Sequence, residues 1–456
     1  MTYDLAGRLT KKVTSDGVQV TYGYDASGRL LSETASVAVG KSAVTLYTQT
    51  YTYDAAGNRS GYVRTVPVAR ALLDVDLAKD IKAAILMAQL RQRISNVGYQ
   101  TVYTYDASNR LQTAIKTIAA NSKTYTLSTE TYAYDAHGNR TTKTVRRSGK
   151  TDTVTAYTYD PLYQLTGVTT NGNAAATYAY NGNGQRVTST EGRNTLTYVY
   201  DGSEAVIERN SARQTERVYT RTPGMPGGIG GLVSMTQYSD RDASTQTDEV
   251  DDGAPAAMAM TAPDSGTHPL YYHADVQGNV IGTTNNRGMP TSYLRYDAYG
   301  RTLAALGNAD THRYSSKELS PATGLYYFGS RWYDPSIGRW RTPDPMGFVD
   351  GMNRYAYVRN NPVNLVDPLG LCGERASLYQ SLGFHLLNTR RTGIAHRASM
   401  RNRCFSCSTT FTDSAREHFS ENTHPIVLLL LDKRIMEYTI PVYVSACLWG
   451  KHRNLR

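Results

Sequence analysis

The first 371 residues of this 456-residue chain contain no cysteine, and all four cysteines lie in the last 85 residues. The long N-terminal part therefore uses neither disulfides nor thiolate metal ligands. No run of about 18 apolar residues occurs, so no membrane-spanning helix is expected. The first residues also lack the basic and apolar segments of a signal peptide.

Phenylalanine is scarce, with 6 Phe against 36 Tyr, whereas glycine is abundant at 38 residues. Tyrosine suits strands that have one packed and one wet face, because its ring packs while its hydroxyl finds a polar partner. Excess Tyr, Thr and Val between regular glycine-containing turns predicts a mainly β protein. At this length, two or three structural units are expected.

A repeat of the form Tyr-x-Tyr-Asp-x-x-Gly-x-Arg runs through the N-terminal half. It is clear in YGYDASGRL from Tyr22 and in YTYDAAGNR from Tyr51, and a late copy ends at Arg301. The acidic or amide position recurs mostly every 20 to 29 residues, at Asp4, Asp25, Asp54, Asp106, Asp135, Asp160, Asn181 and Asp201.

Each repeat predicts one β-hairpin. Tyr-x-Tyr places two rings on the same face of a strand. The Asp carboxylate then caps a turn, and the following Gly supplies a positive φ. One hairpin cannot bury its face alone, so neighbouring hairpins must stack.

Two segments interrupt the repeats. Residues 71–94 combine strong helix formers with helical spacing of apolar residues, which predicts one inserted amphipathic helix. Residues 222–268 are rich in Gly, Pro, Ala, Met and acids and predict a long flexible loop.

The repeats resemble the YD repeats of RHS proteins, of teneurins and of the C components of insecticidal toxin complexes. The segment YYHADVQGNV from Tyr271 is similar to a further element of that family, and residues 322–371 resemble the RHS repeat-associated core almost throughout. The resemblance implies a β-shell over residues 1–268, a core over residues 269–371, and a variable effector or toxin-like domain over residues 372–456. It also implies that this last domain is the shell's own cargo, with an immunity protein, a secretion system or an upstream shell partner outside the chain.

The shell is expected to be partial and spiral. Enclosing an 85-residue cargo needs on the order of 300–500 strand residues, since each covers roughly 16 Å². The first 371 residues supply only about 220. Secretion, delivery by a secretion system or a cell-surface location follows from the resemblance, with no signal peptide in this chain.

The junction contains the residues expected to react. Autoprocessing members of the family use an Arg and two Asp that match Arg331, Asp344 and Asp367, and they cut after the Leu that matches Leu371, before Cys372. Two carboxylates in close proximity titrate apart, so one can act as base and the other as acid, and a guanidinium can hold one of them charged. The alternative is that these Asp-Pro pairs are only turns. Asp334, Trp332 and Trp340 are expected to be structural.

The tail is basic, with twelve Lys and Arg against six acids, and five of the nine histidines lie there. It predicts a small α+β domain. The ligand types in Cys404, Cys407, His418 and His424 predict a zinc site; a free Cys pair with two surface histidines and a disulfide within the pair are the alternatives. No His-x-Glu precedes the Cys pair, which argues against a zinc deaminase. A nuclease acting on nucleic acid would suit the charge, with Glu417 and His418 as candidates, although a solvated basic surface explains it equally.

Three functions remain open at this point. The chain is a carrier that cuts itself and releases a C-terminal toxin, a non-enzymatic surface module that binds partners through its tyrosine-rich face, or a displaced copy with an inactive tail. No cofactor is expected for the shell.

Overall fold

The computed structural model describes residues 1–14, 17–39, 42–67, 96–120, 123–222, 231–238 and 267–375. All of them belong to one compact unit, Met1–Ser406. Strands dominate because alternating Tyr, Thr and Val fit a pleated surface with one packed face. The strands of the large sheet are β1 Thr2–Tyr3, β2 Leu9–Val13, β3 Val18–Tyr24, β4 Leu30–Val39, β5 Ser42–Tyr53, β6 Arg59–Pro67, β7 Asn96–Tyr105, β8 Leu111–Ala120, β9 Lys123–Tyr134, β10 Arg140–Arg146, β11 Thr153–Tyr159, β12 Leu165–Thr170, β13 Asn173–Tyr180, β14 Arg186–Glu191, β15 Asn194–Asp201, β16 Glu204–Arg209, β17 Thr215–Thr222, β18 Gly231–Tyr238, β19 Thr267–Ala274, β20 Val280–Asn285, β21 Pro290–Tyr296 and β22 Thr302–Gly307.

The remaining elements are short and lie in the core segment that follows β22. They are the 3-10 turn Tyr314–Ser316, β23 Glu318–Leu319, β24 Tyr326–Tyr327, β25 Trp332–Asp334, β26 Arg339–Trp340, the 3-10 turn Val358–Asn360, β27 Leu365–Val366 and β28 Glu374–Arg375. The strands β23 to β26 form a small antiparallel sheet, and β27 pairs with β28.

The large sheet is a simple antiparallel meander, in which each strand from β1 to β22 pairs with its neighbours in the chain. Within the described residues, no pairing joins β22 back to β1. The prediction of a mainly β, incompletely closed shell wall is therefore confirmed.

The repeat turn has the predicted chemistry. In the second repeat, the Asp25 carboxylate accepts the Arg29 backbone N–H at 2.8 Å and the Arg29 Nε at 2.6 Å. Gly28 adopts φ +81°, and its N–H closes the turn on the Asp25 carbonyl at 3.0 Å. Where glycine is replaced, Asn109 and Tyr163 take the same left-handed conformation.

The two tyrosines of a repeat have different roles. The first is packed inside the sheet, as Tyr51 shows with 2% of its surface exposed. The second lies where the strand register shifts beside the turn, as at Tyr53. Its hydroxyl donates to the carbonyl that begins the return strand of the preceding repeat, from Tyr53 to Leu30 at 2.7 Å and from Tyr105 to Arg59 at 2.7 Å. Tyrosine is therefore required at this position, because phenylalanine has no donor for that carbonyl.

The structure corrects the list of positions that head a capped repeat turn. Asp201 does not head a capped turn; it pairs with Glu204 across a two-residue hairpin. The capped turn instead occurs at Asn210, Asp275 and Asn285, where the i+4 backbone N–H returns to the side-chain oxygen at 3.0 Å.

The prediction of one continuous loop over residues 222–268 is wrong in part, because β18, Gly231–Tyr238, lies inside it and pairs with β17 and β19. Its apolar residues pack inside the sheet, which outweighs the glycine- and proline-rich surroundings that suggested a loop. The predicted helix at residues 71–94 and the predicted α+β domain lie outside the described residues, apart from the first residues of the tail. No helix in the described ranges is both long and apolar enough to cross a membrane.

Buried arginines join the sheet to the core segment. Arg140 places its Nη1 3.0 Å from the Asp334 carboxylate, and Arg186 pairs with Glu318. The Arg59 guanidinium donates to the Ile337 carbonyl and faces several tyrosine rings. These contacts hold the core segment against the wall and so position the junction that follows it.

Candidate active site

Arg331 occupies the centre of the core segment. It lies between a glycine turn and β25, and only 1% of its side chain is exposed. Its guanidinium sits 4.1 Å from the centre of the Trp340 ring. Trp340 is buried among the rings of a cluster that includes Tyr333 and Tyr357. Aromatic packing therefore fixes the guanidinium, since a cation over a ring face is attracted to it.

Two carboxylates share this guanidinium. The Arg331 Nη2 lies 3.0 Å from Asp344 Oδ2 and 3.3 Å from Asp367 Oδ2. Asp344 Oδ1 also accepts the Met346 backbone N–H at 2.8 Å, so a local turn fixes its orientation. The structure thus brings together the three residues that the sequence singled out, although 36 residues separate Arg331 from Asp367.

The junction peptide contacts the same groups. Asp367 Oδ1 accepts the Leu371 backbone N–H at 2.9 Å, and the Arg331 Nε donates to the Gly370 carbonyl at 2.6 Å. Gly370 has φ +71°, and a Cβ there would lie 3.1 Å from the Arg331 backbone nitrogen. Glycine is therefore needed for this close approach. The bond between Leu371 and Cys372 lies in the loop that connects β27 to β28, so both ends of the loop are fixed.

Burial raises the pKa of both carboxyls above that of an ordinary aspartate. Desolvation raises the pKa of Asp367 to about 7 against the opposing effect of Arg331, and the charges of Asp350 and Asp344 raise it further. Desolvation also raises the pKa of Asp344, while Arg331 and the Met346 N–H lower it. A pKa of about 7 keeps Asp367 mostly protonated below neutral pH, so one carboxyl of the pair can donate a proton there while the other accepts one.

A cavity of about 810 Å³ opens beside the junction. Its lining includes Leu371, Pro368, Met346 and the buried Lys317. This volume leaves room for water beside Leu371, the residue whose carbonyl hydrolysis would attack.

The structure also places the residues that were expected to be structural, and it brings one unexpected acidic residue near the junction. Asp334 binds Arg140 and Ser336, away from the Arg331 cluster, and Trp332 and Trp340 are packed in the interior. Asp350 was missed by sequence reasoning: it lies near the junction and bonds Arg359 at 2.8 Å. No local pattern marks it, because Arg359 and the junction approach it only in the folded chain.

The tail residues predicted to bind zinc, Cys404, Cys407, His418 and His424, and the nuclease candidates Glu417 and His418 lie outside the described residues. Within the part of the chain that the structure describes, no cluster of three or more His, Cys, Asp or Glu side chains is arranged to hold a metal. The zinc site stays a prediction.

Comparisons with known proteins agree with the repeat architecture. The family model for the RHS Repeat matches residues 3–37. The chain is 28% identical over 305 residues to the tRNA3(Ser)-specific nuclease WapA of Bacillus spizizenii, covering 62% of this chain and 11% of that protein. It is 27% identical over 423 residues to the toxin subunit YenC2 of Yersinia entomophaga, covering 81% of this chain and 42% of that protein. The chain therefore spans less than half the length of these curated relatives.

Among solved structures, the crystal structure of TcdB2-TccC3 without the hypervariable C-terminal region matches 81% of this chain and 18% of that chain. The match has 23% sequence identity and a TM-score of 0.49.

Proposed function

Because this chain is an RHS-repeat protein of the YD-shell type, we propose that it cleaves its own backbone between Leu371 and Cys372 by aspartic proteolysis and so separates residues 372–456 from the shell. The observation that carries the proposal is the shared guanidinium. Arg331 contacts Asp344, Asp367 and the carbonyl of Gly370 at once, while Asp367 also holds the Leu371 N–H.

The reaction uses one water molecule. The ionised Asp344 takes a proton from that water as its oxygen attacks the Leu371 carbonyl carbon. The protonated Asp367 polarises the carbonyl oxygen by a hydrogen bond. When the tetrahedral intermediate collapses, the C–N bond breaks and the Cys372 nitrogen leaves with a proton from the carboxyl pair. The products are a carboxylic acid at Leu371, which then ionises by releasing its proton to solvent, and an amine at Cys372, and both aspartates return to their starting state.

The wider role is that of a carrier. The open wall of hairpins would hold residues 372–456 as its cargo, with the remaining wall supplied by another chain or by a longer form of this one. The basic charge of that segment suits a nucleic-acid target, in line with the nuclease named among the relatives. An immunity protein and a delivery apparatus are the partners that such a cargo would need.

The self-cleavage is tested by expressing the full chain with Asp344→Asn or Asp367→Asn. Each variant keeps the size and most hydrogen-bonding capacity of the side chain but cannot cycle a proton. We expect two fragments from the unmodified chain and one full-length product from each variant. Asp152→Asn is the control, because Asp152 forms an exposed ion pair with Arg146 elsewhere in the sheet. Full cleavage in both junction variants would refute the proposal.

The cargo role has its own test. Residues 372–456 are expressed alone in a bacterium under a tight promoter, beside the same segment carrying Glu417→Gln and His418→Ala. The proposal expects growth arrest by the unaltered segment and weaker arrest by the variant. Normal growth in both cultures would contradict a toxic cargo and favour an inactive tail.

A further inference from the structure

We infer that Asp350 is a positioning residue for the cleavage proposed above, and that its ion pair with Arg359 holds the turn that packs Val358 against Gly373, on the far side of the bond. The inference rests on the proposed function and extends it to a residue 21 positions before the bond. Arg331 and Asp367 hold the near side, at Gly370 and Leu371. Nothing in that contact set restrains the chain beyond Cys372.

Asp350 is turned inward in a segment that is otherwise exposed. Phe348 is 60% exposed and Met352 75%, whereas the Asp350 side chain is only 8% exposed. The turn is closed by the Gly351 N–H on the Phe348 carbonyl at 3.1 Å. Burying a carboxylate costs free energy unless it is paired and hydrogen-bonded. Its inward placement therefore calls for partners that repay the desolvation.

Arg359 supplies a charged partner. Arg359 places its Nε 2.8 Å from Asp350 Oδ1, from a side chain that is itself largely exposed. The pair connects the segment around Asp350 to the turn that contains Arg359. Val358 of that turn packs against Gly373, which lies two residues past the bond.

The backbone that presents Arg359 is strained. Val358, Arg359 and Asn360 have φ values of 41°, 56° and 59°, a left-handed turn made without glycine. Such residues cost free energy and persist only where the surroundings enforce them. The turn brings Val358 against Gly373, where a Cβ on the glycine would lie 3.2 Å from the Val358 Cα.

The cleavable bond is thus held from both sides. On one side are Arg331 and Asp367; on the other are Asp350, Val358 and the pairing of β27 with β28. Holding both flanks of a bond keeps the reacting carbonyl in an attack geometry, and a displacement of about 1 Å can cost roughly a hundredfold in rate.

Asp350 also contributes charge. It faces Arg359 and Arg331, and its negative charge acts on Asp344 and Asp367. Asp367 in turn faces Arg331, Lys317 and Tyr357. Replacing Asp350 with asparagine keeps an acceptor for the Arg359 Nε but removes one negative charge, which lowers the pKa of Asp367. Because cleavage needs a protonated Asp367, the cleavage rate would then begin to decline at a lower pH, as the pH is raised, than it does in the unmodified chain.

The test follows the full chain after a short labelling pulse in cell-free translation, with cleavage timed across a range of pH. Asp350→Ala is expected to slow cleavage roughly tenfold to a hundredfold. Asp350→Asn is expected to keep most of the rate at its optimum while its alkaline limb moves to lower pH. Asp152→Ala, at the exposed ion pair with Arg146, should behave as the unmodified chain does.

The outcomes separate the two claims. If the unmodified chain is cut, Asp344→Asn stays whole, and both Asp350 variants match the unmodified chain in rate and pH profile, the positioning role is overturned while the proposed cleavage stands. If the unmodified chain is never cut, both fall together. Loss of folding in Asp350→Ala is checked by thermal unfolding, with Asp350→Ala and the parent chain compared in an uncleavable Asp344→Asn background. If the alanine variant unfolds, the pH shift of Asp350→Asn decides whether Asp350 has the positioning role.

Discussion

At the scale of single residues, the acid strength of Asp367 sets the pH range of the reaction. Desolvation raises the pKa of this carboxyl to about 7. Its protonated fraction therefore falls as the pH rises through 7, and self-cleavage should slow there. Below that range, protonation of Asp344 removes the base. We predict a bell-shaped profile of cleavage rate whose alkaline limb lies near pH 7, measured on freshly translated full chain. A rate that keeps rising above pH 8 would contradict the assigned roles.

Gly370 gives a second prediction at this scale. Its φ of +71° is strained for a residue with a side chain, and an added Cβ would lie in tight contact with Arg331 and Phe328, at 3.1 and 3.2 Å. Gly370→Ala should displace the Leu371 segment from the carboxyls and slow cleavage roughly tenfold or more. Gly172→Ala is the matched control, because Gly172 has φ +80° but no heavy atom near its added Cβ. Equal cleavage in the two variants would show that the approach to Arg331 is unimportant.

At the scale of elements, the tyrosine hydroxyls connect each hairpin to the one before it. Tyr105 donates to the Arg59 carbonyl and Tyr296 to the Val280 carbonyl, at 2.7 and 2.8 Å. Tyr105→Phe and Tyr296→Phe keep the ring but remove the hydroxyl that donates to this carbonyl, so each should reduce the free energy of unfolding by about 1–2 kcal/mol. Thermal unfolding of the uncleavable Asp344→Asn chain measures this. Tyr125→Phe, at a 42% exposed ring, should change little.

The repeats could be predicted from the sequence, whereas some other elements could not. The Tyr-x-Tyr-Asp turn is local, because the carboxylate, the turn and both rings lie within a few residues, and it folds as predicted. The turns at Asn210 and Asn285 lack the tyrosine pair, and they were missed for that reason. The strand Gly231–Tyr238 was missed because its evidence is the pairing with β17 and β19, which no composition window contains.

At the scale of the whole molecule, buried arginines connect the wall to the core. Their burial could not be predicted from the sequence, because arginine is ordinarily a surface residue. Arg140 is 1% exposed, lies 4.7 Å from the Tyr132 ring centre and pairs with Asp334. The convergence of Arg331, Asp344 and Asp367 was expected from family resemblance, whereas the second anchor at Asp350 depends on a contact that only the folded chain makes.

The Arg140–Asp334 pair yields the prediction for this scale. Asp334→Asn leaves a buried guanidinium without its counter-charge, which typically costs about 3–5 kcal/mol. Thermal unfolding of the Asp344→Asn chain should therefore shift strongly downward on adding Asp334→Asn. In a chain with both junction aspartates intact, folded molecules of Asp334→Asn should still be cut. Asp152→Asn should leave the unfolding temperature nearly unchanged, since exposed ion pairs contribute little. Intact folding with lost cleavage would instead place Asp334 in the reaction.

The central claim concerns one peptide bond, and the intact mass of the purified full chain under reducing conditions tests it most directly. The account predicts two species, residues 1–371 and residues 372–456, whose masses sum to that of the chain plus one water, with Cys372 as the new N-terminus. A single species of full-length mass would contradict the account, and so would a new N-terminus at Pro345 or Pro368.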